Sequence, residues 1–348
     1  MHNLTYFVVA IALSAPHAIA QTPTPGPREV PAKTVPVPDT VSPQMQKLIA
    51  APLTPTWNVI PKTPEEWKAQ VDASAAALMR GLPALREQLR VKVEPMTIDG
   101  VKAYMLTPEV IPSENRNRLL VHVHGGCFMS FPGEAGTLEA VYMAGFGHFK
   151  VISVDYRMPP DHPYPAALDD AMTVWKAATK MAAPKNLAIF GSSAGGNLTL
   201  AMILRAKQNN LPLPGAIAPG TPMSDLTNAG DSFHTNAMLD NVLVAPNASC
   251  DKRAALYANG RDFKDPMLSP VYGDMRGFPP AILTTGTRDL FLSSTVRVHR
   301  KLRQVGVEAV LQVFEGQSHG QYLRDVSAPE TKEAFSEIAE FFDKHLGK

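Results

Sequence analysis

With only 2 cysteines in 348 residues, the chain has too few thiols for a disulfide scaffold or a four-cysteine zinc site. Charge of one sign is also missing. The 33 Lys and Arg face 32 Asp and Glu, a net +1 that offers nothing to nucleic acid or an anionic membrane surface. The N-terminal apolar run, Tyr6 to Leu13, is shorter than the ~20 residues a spanning helix needs. No internal repeat is visible. What is present is a 45% hydrophobic share, enough for a full globular core, so disorder throughout is excluded. Proline is in excess: 32 residues, about 9% of the chain against about 5% in average proteins.

The first residues, MHNLTYFVVAIALSAPHAIAQ, pair that short apolar run with Ala18-Ile19-Ala20, a small-x-small cleavage pattern. The expectation is a signal peptide over 1–20 and an exported protein, periplasmic or secreted. Residues 21–55 carry prolines every few positions and predict an extended arm without a buried face, interrupted by a short helical turn near 44–50. From Pro64 to Leu89, helical spacing of Trp67, Val71, Ala75, Leu78 and Leu82 predicts part of a helical cap over about 56–90.

From residue 91 the pattern changes. VKVEPMTI and VKAYMLT, joined at Asp99-Gly100, read as a tight hairpin. Short apolar runs then alternate with helical segments: LLVHVH (119–124), KVISVDY (150–156), NLAIF (186–190), GAIAPG (215–220), PAILTTG (280–286) and EAVLQVF (308–314). This predicts an α/β fold, a mostly parallel sheet covered by helices on both faces. In such sheets the reactive residues sit at the carboxyl ends of strands.

Four strand ends supply chemistry. Gly191-Ser192-Ser193-Ala194-Gly195 follows a strand and precedes a helix, the context that gives G-x-S-x-G its meaning. The sharp turn lifts the Ser193 hydroxyl off the sheet, and the helix start aims N–H groups at it. The Gly-Lys pair of a phosphate-binding loop is absent. His124-Gly125-Gly126-Cys127 ends an earlier strand; the N–H groups of Gly125 and Gly126, with that of Ala194, would form an oxyanion hole. His124 reads as a loop-holding residue, and His122-x-His124 lacks a third ligand for a metal. Asp289 and His319 follow two later strands, and the order Ser193, Asp289, His319 matches that of α/β-hydrolases. Asp225 and Glu315 are rivals for the acid.

At these residues the chain resembles the hormone-sensitive-lipase-like (bacterial family IV) esterases of the α/β-hydrolase fold. The resemblance extends to Asp155-Tyr156-Arg157 with the following MPPDHPYPAALDDAM, and to DPMLSPVYGDMRGFPPAILTTGTRDLFLSS. It covers about residues 90–345. It implies a single hydrolase domain over 56–348 and hydrolysis of carboxylic esters by a Ser-His-Asp triad, without metal or cofactor. The second part of the cap falls at 225–260, where Phe233, Met238, Leu239 and Tyr257 either line the pocket or pack cap on core. The sequence departs from the family at Cys127, where a third glycine is usual; at Ser192, usually Asp or Thr; and at Leu290-Phe291, where Asp-Pro-Leu is common.

The partner expected is a small-molecule ester or lactone; neither nucleic acid nor stable membrane insertion is expected. A lactone hydrolase or a carbohydrate acetyl esterase would use the same machinery. A non-catalytic binding protein would typically lack a triad member, and all three are present. A dinucleotide-binding oxidoreductase would need a G-x-G-x-x-G that Gly145-Phe146-Gly147 does not complete. Cys127 and Cys250 could pair in an oxidising compartment, but Cys127 lies in the predicted oxyanion loop, and two free or buried thiols are the expectation.

Overall fold

Asp99 and Gly100 both take positive φ, 48° and 86°, as a two-residue hairpin turn between right-twisted strands requires. In the computed structural model, which describes residues 26–347, this hairpin joins β1 (Val91–Ile98) to β2 (Val101–Pro108). The remaining strands are β3 (Leu119–Val123), β4 (Lys150–Val154), β5 (Leu187–Ser192), β6 (Ala216–Gly220), β7 (Ala281–Gly286) and β8 (Ala309–Phe314). They form one sheet in the order β1-β2-β4-β3-β5-β6-β7-β8. Only the β1–β2 and β2–β4 pairs are antiparallel.

Side chains along these strands alternate between two cores. Val121, Ile189, Ile217 and Leu283 face one, with Trp175, Leu198 and Val298. Those three lie on α5 (Ala166–Met181), α6 (Ala194–Gln208) and α9 (Leu292–Gln304). Leu120, Ala188, Ala218 and Ile282 face the other, with Leu85, Met143 and Phe342. These belong to α3 (Leu82–Leu89), α4 (Leu138–Gly147) and α10 (Pro329–His345). Both faces are therefore covered, and the expected α/β architecture holds. The cap region contributes α2 (Pro64–Met79), α7 (Ser232–Thr235) and α8 (Ser249–Ala258). No helix among the described residues is long and apolar enough to cross a membrane.

Among the described residues, 26–36 stand apart from 37–347. The expected signal peptide, and residues 21–25 of the expected arm, lie outside the described residues. Residues 26–36 are exposed and form neither helix nor strand. The arm does not continue unbroken to residue 55 as expected, because residues 41–49 pack on the rest of the chain. Pro43 opens a short helix, α1 (Pro43–Ile49), at a position where a missing N–H costs nothing. Met45 and Ile49, one turn apart, bury one side of it against Ala328. Ser42, which caps this helix, also gives its N–H and Oγ–H to Glu330, each at 2.7 Å. At and just beyond its C-terminal end, the carbonyls of Leu48 and Ala51 accept from Asn241 Nδ2 at 2.8 and 2.9 Å. The helical turn expected near 44–50 is this helix; its packing is what proline spacing misses, because prolines that start a helix look the same as prolines that prevent one.

Met45→Ala is expected to cost about 2–4 kcal/mol of unfolding free energy in urea, as for other buried large-to-small changes. Lys47→Ala, on the exposed side of the same helix, should stay within about 0.5 kcal/mol. Equal, negligible effects would mean that the segment hangs free.

Candidate active site

The site begins with a steric constraint. A Cβ on Gly191 or on Gly195 would lie 2.0 Å from the same atom, the carbonyl oxygen of Val123 at the end of β3. Only glycine at both positions lets β5 and α6 close around that oxygen. Between them Ser193 is forced to φ 62°, ψ −120°, a strained turn for a residue with a side chain. Its N–H donates to the Gly220 carbonyl at 2.9 Å, and its carbonyl accepts from Met223 N–H at 3.1 Å. The turn is thereby pinned to the end of β6.

Ser192, the departure noted before the predicted nucleophile, is held by a buried polar group. Its N–H and Oγ–H donate to Glu139 of α4 at 3.0 and 2.6 Å, and its Oγ lies 2.6 Å from the Tyr322 hydroxyl. His122 joins the same group, 3.4 Å from Glu139 and 2.9 Å from Ser153 Oγ. His124 turns elsewhere: it stacks on Tyr156, ring centroids 4.1 Å apart, and donates from Nδ1 to the Gly125 carbonyl at 2.8 Å. Burial lowers the His124 pKa to about 3, against the opposing pull of that carbonyl, so its imidazole is neutral at ordinary pH.

The loop after β3 lies against the serine turn. A Cβ on Gly125 would meet the Ser192 carbonyl at 2.8 Å and the Ser193 Cβ at 3.3 Å. Gly126 takes φ 102°, and its carbonyl accepts the N–H groups of Met129 and Ser130, which closes the loop into a turn. Among the described residues, no protein acceptor takes the N–H groups of Gly125, Gly126 or Ala194. The last stands at the first position of α6, where the helix leaves it unpaired.

Asp289 and His319 meet. His319 Nδ1 donates to Asp289 Oδ1 at 3.0 Å, which leaves Nε2 with the lone pair. The same Oδ1 accepts Phe291 N–H at 2.7 Å, while Oδ2 accepts the hydroxyls of Thr285 at 3.2 Å and of Thr221. Thr221 follows Gly220, so the strand end that holds Ser193 also touches the acid; its Oγ1 lies 3.2 Å from His319 Nδ1 as well. Phe291, the departure from the family's Pro-Leu, sets its ring edge-on to His319 with centroids 4.8 Å apart.

The rival acids are placed elsewhere. Asp225 is buried, but it accepts from Thr227, Tyr272 and Arg297. Burial works against its charge, yet the bonds from Thr227, Arg297 and Tyr272 outweigh it and hold the carboxyl below its ordinary range. Glu315 is exposed. Thr221, Asn236, Asp240 and Ser318 also shape the site and are missing from the sequence-based set. For Thr221 a signal exists, a polar residue directly after a strand; for the others there is none.

Phe233 packs on Phe291 and Tyr257 stacks on Phe128, both buried, while Met238 is exposed. Arg253 of α8 bridges the two cap pieces to the loop: it donates to Gln70 at 2.7 Å and to Ser130, over the Trp67 ring. A separate cleft of about 380 Å³, lined by Lys68, Met129, Asp155 and Tyr156 among others, does not reach Ser193, and its charged rim pairs internally, as in Lys68–Asp161 at 2.9 Å.

The two cysteines correct an expectation. Cys127 and Cys250 form a disulfide, Cα atoms 5.4 Å apart, across 123 residues of sequence. Cys127 therefore does not merely replace a glycine; at φ 54° it keeps the left-handed backbone and ties the loop to α8. Sequence cannot see this, because the first turn of α8 reaches the loop only through the folding of the cap.

Comparison with known proteins gives consistent results. Residues 120–323, more than half of the chain, match the alpha/beta hydrolase fold family. The chain is similar to an esterase of Acinetobacter venetianus, 30% identical over 254 residues, 72% of this chain and 82% of that protein. It is also similar to the crystal structure of esterase E25, with 42% identity and a TM-score of 0.89 over 92% of this chain and 99% of the other. An esterase of the bacterial hormone-sensitive lipase family shares the fold, with 24% identity and a TM-score of 0.69 over 83% of this chain and 100% of the other.

Replacing Cys250 by Ser is expected to cost about 2–4 kcal/mol of stability, since the bond closes a long loop. Denaturation with and without a reductant measures it; a wild-type protein indifferent to reduction would contradict the pairing.

Proposed function

We propose that this chain, which belongs to the α/β-hydrolase fold family and is a hormone-sensitive-lipase-like carboxylesterase, cleaves carboxylic esters of small to medium acyl chain through Ser193, His319 and Asp289. The observation that carries the reading is the His319–Asp289 hydrogen bond at 3.0 Å, linked through Thr221 and Gly220 to the strained turn of Ser193. A serine hydroxyl is a weak nucleophile until a base takes its proton. With Nδ1–H committed to Asp289, His319 offers Nε2 for that purpose.

The steps follow. Ser193 Oγ attacks the ester carbonyl while His319 Nε2 accepts its proton. The negative oxygen that forms takes the N–H groups of Gly125, Gly126 and Ala194, donors that need not move when charge appears. Asp289 keeps the imidazole oriented and offsets its positive charge. His319 then protonates the departing alcohol, the tetrahedral species collapses to an acyl-Ser193, and water, activated by the same histidine, releases the acid.

The disulfide and the small-x-small pattern before Ala20 support export to an oxidising compartment, periplasmic or extracellular. The near-zero net charge suits a neutral ester.

Ser193→Ala should abolish turnover of p-nitrophenyl butyrate in a protein with an unchanged melting curve; retained turnover would sink the mechanism. Asp289→Asn should lower kcat on the order of 10⁴-fold, as removal of the triad acid does in serine proteases. Asp225→Asn, which breaks the contact with Arg297, should lower stability and leave kcat within a few-fold; the reverse pattern would reassign the acid. An acyl-chain series on the mature protein, with lactones included, measures the substrate class.

A further inference from the structure

The loops carrying the proposed acid and base share a buried carboxylate that no step above uses. Asp240 lies in the cap segment between α7 and α8 and is fully buried. Its Oδ1 accepts the N–H groups of Val242 and Leu243 at 2.8 and 3.1 Å. Its Oδ2 accepts Leu290 N–H at 2.9 Å and His319 N–H at 3.3 Å. Leu290 directly follows Asp289. One oxygen atom thus fixes the separation of the two backbones whose side chains meet as imidazole and carboxylate. Asn236, one turn earlier, grips the same loop from its carbonyl side, donating from Nδ2 to Asp289 O at 2.9 Å and Thr287 O at 3.2 Å.

We infer that Asp240 is a positioning residue, which holds the His319 and Asp289 loops at the spacing that proton transfer requires and acts through the backbone and its charge. The inference rests on the triad reading above. Four N–H donors converge on this side chain, and only an ionised carboxylate has acceptor sites for all of them without presenting a donor. An amide of the same shape would turn its NH₂ toward two N–H groups.

The charge matters as well. Burial and the charge of Asp289 push the Asp240 carboxyl up to about 6, while His319 and the N–H groups of Leu290 and Val242 oppose the rise. The charge of Arg324 adds attraction. At neutral pH Asp240 is therefore ionised, and its charge stands near the imidazolium that forms once the serine has given up its proton.

The test compares Asp240→Asn, His319→Ala and wild type on p-nitrophenyl butyrate across pH. Asp240→Asn should lower kcat roughly 10- to 100-fold, in the range of a small misplacement of reacting groups, with KM within about two-fold. The loss of kcat that accompanies protonation of Asp240 below about pH 6 should be missing from the variant. A folded Asp240→Asn with unchanged kcat and an unchanged pH profile overturns the inference while an inactive His319→Ala leaves the triad standing. An active His319→Ala overturns the triad itself. Should Asp240→Asn not fold, amide exchange in the wild type decides. Protection of the Leu290 and His319 N–H groups at pH 7, lost together as Asp240 protonates below about pH 6, is expected. Free exchange of both across the range rules the clamp out.

Discussion

The carbonyl oxygen of Val123 sets the geometry from which the rest of the site follows. Two glycines, Gly191 and Gly195, close on it from either side at distances no Cβ allows. That closeness forces Ser193 into its strained turn and places the start of α6 beside the loop after β3. The strain is affordable because the surroundings over-determine it: Gly220 and Met223 hold the serine backbone, and Glu139 holds Ser192. A polar network buried this deeply stabilises only when its members are satisfied, and here the carboxylate, the two hydroxyls and His122 serve one another.

A second layer works from the cap side. Segment 236–243 is not a passive cover, since its polar side chains reach into both loops that carry Asp289 and His319. Asn241 extends this layer outward: its N–H meets Ser318 Oγ at 3.1 Å, its Oδ1 accepts from Gln321, and its Nδ2 satisfies the end of α1. The packed part of the N-terminal segment, the cap and the histidine loop are thus joined by hydrogen bonds around one asparagine. The Cys127–Cys250 bond ties the cap to the loop after β3 as well. Two independent ties hold the cap to the loops that would perform the chemistry.

Sheet and motifs are legible in the sequence because their determinants are local. Each strand is a short apolar run bounded by turn residues, and the hairpin is marked by an Asp-Gly pair that tolerates positive φ. The positions of Ser193, Asp289 and His319 are legible for a related reason: each follows a strand, and a parallel sheet delivers every such position to one edge. What escapes the sequence is set by contacts between distant segments. Pro43 can start a helix or end one, and only a buried surface near Ala328 decides that Met45 and Ile49 have something to face. Thr221 and Asp240 are ordinary polar residues in sequence; their importance comes from the atoms that surround them.

The sequence by itself determined the alternation of strands and helices, the strand ends on which reactive groups fall, and the glycines without which the serine turn could not close. Those are short-range matters of backbone conformation and periodicity. The tertiary structure alone decided that the two cysteines pair, that residues 41–49 pack, and that Asp289 rather than Asp225 faces the histidine. Each of these depends on bringing together groups far apart in the chain, where burial and competing partners such as Arg297 determine which charge is left to act.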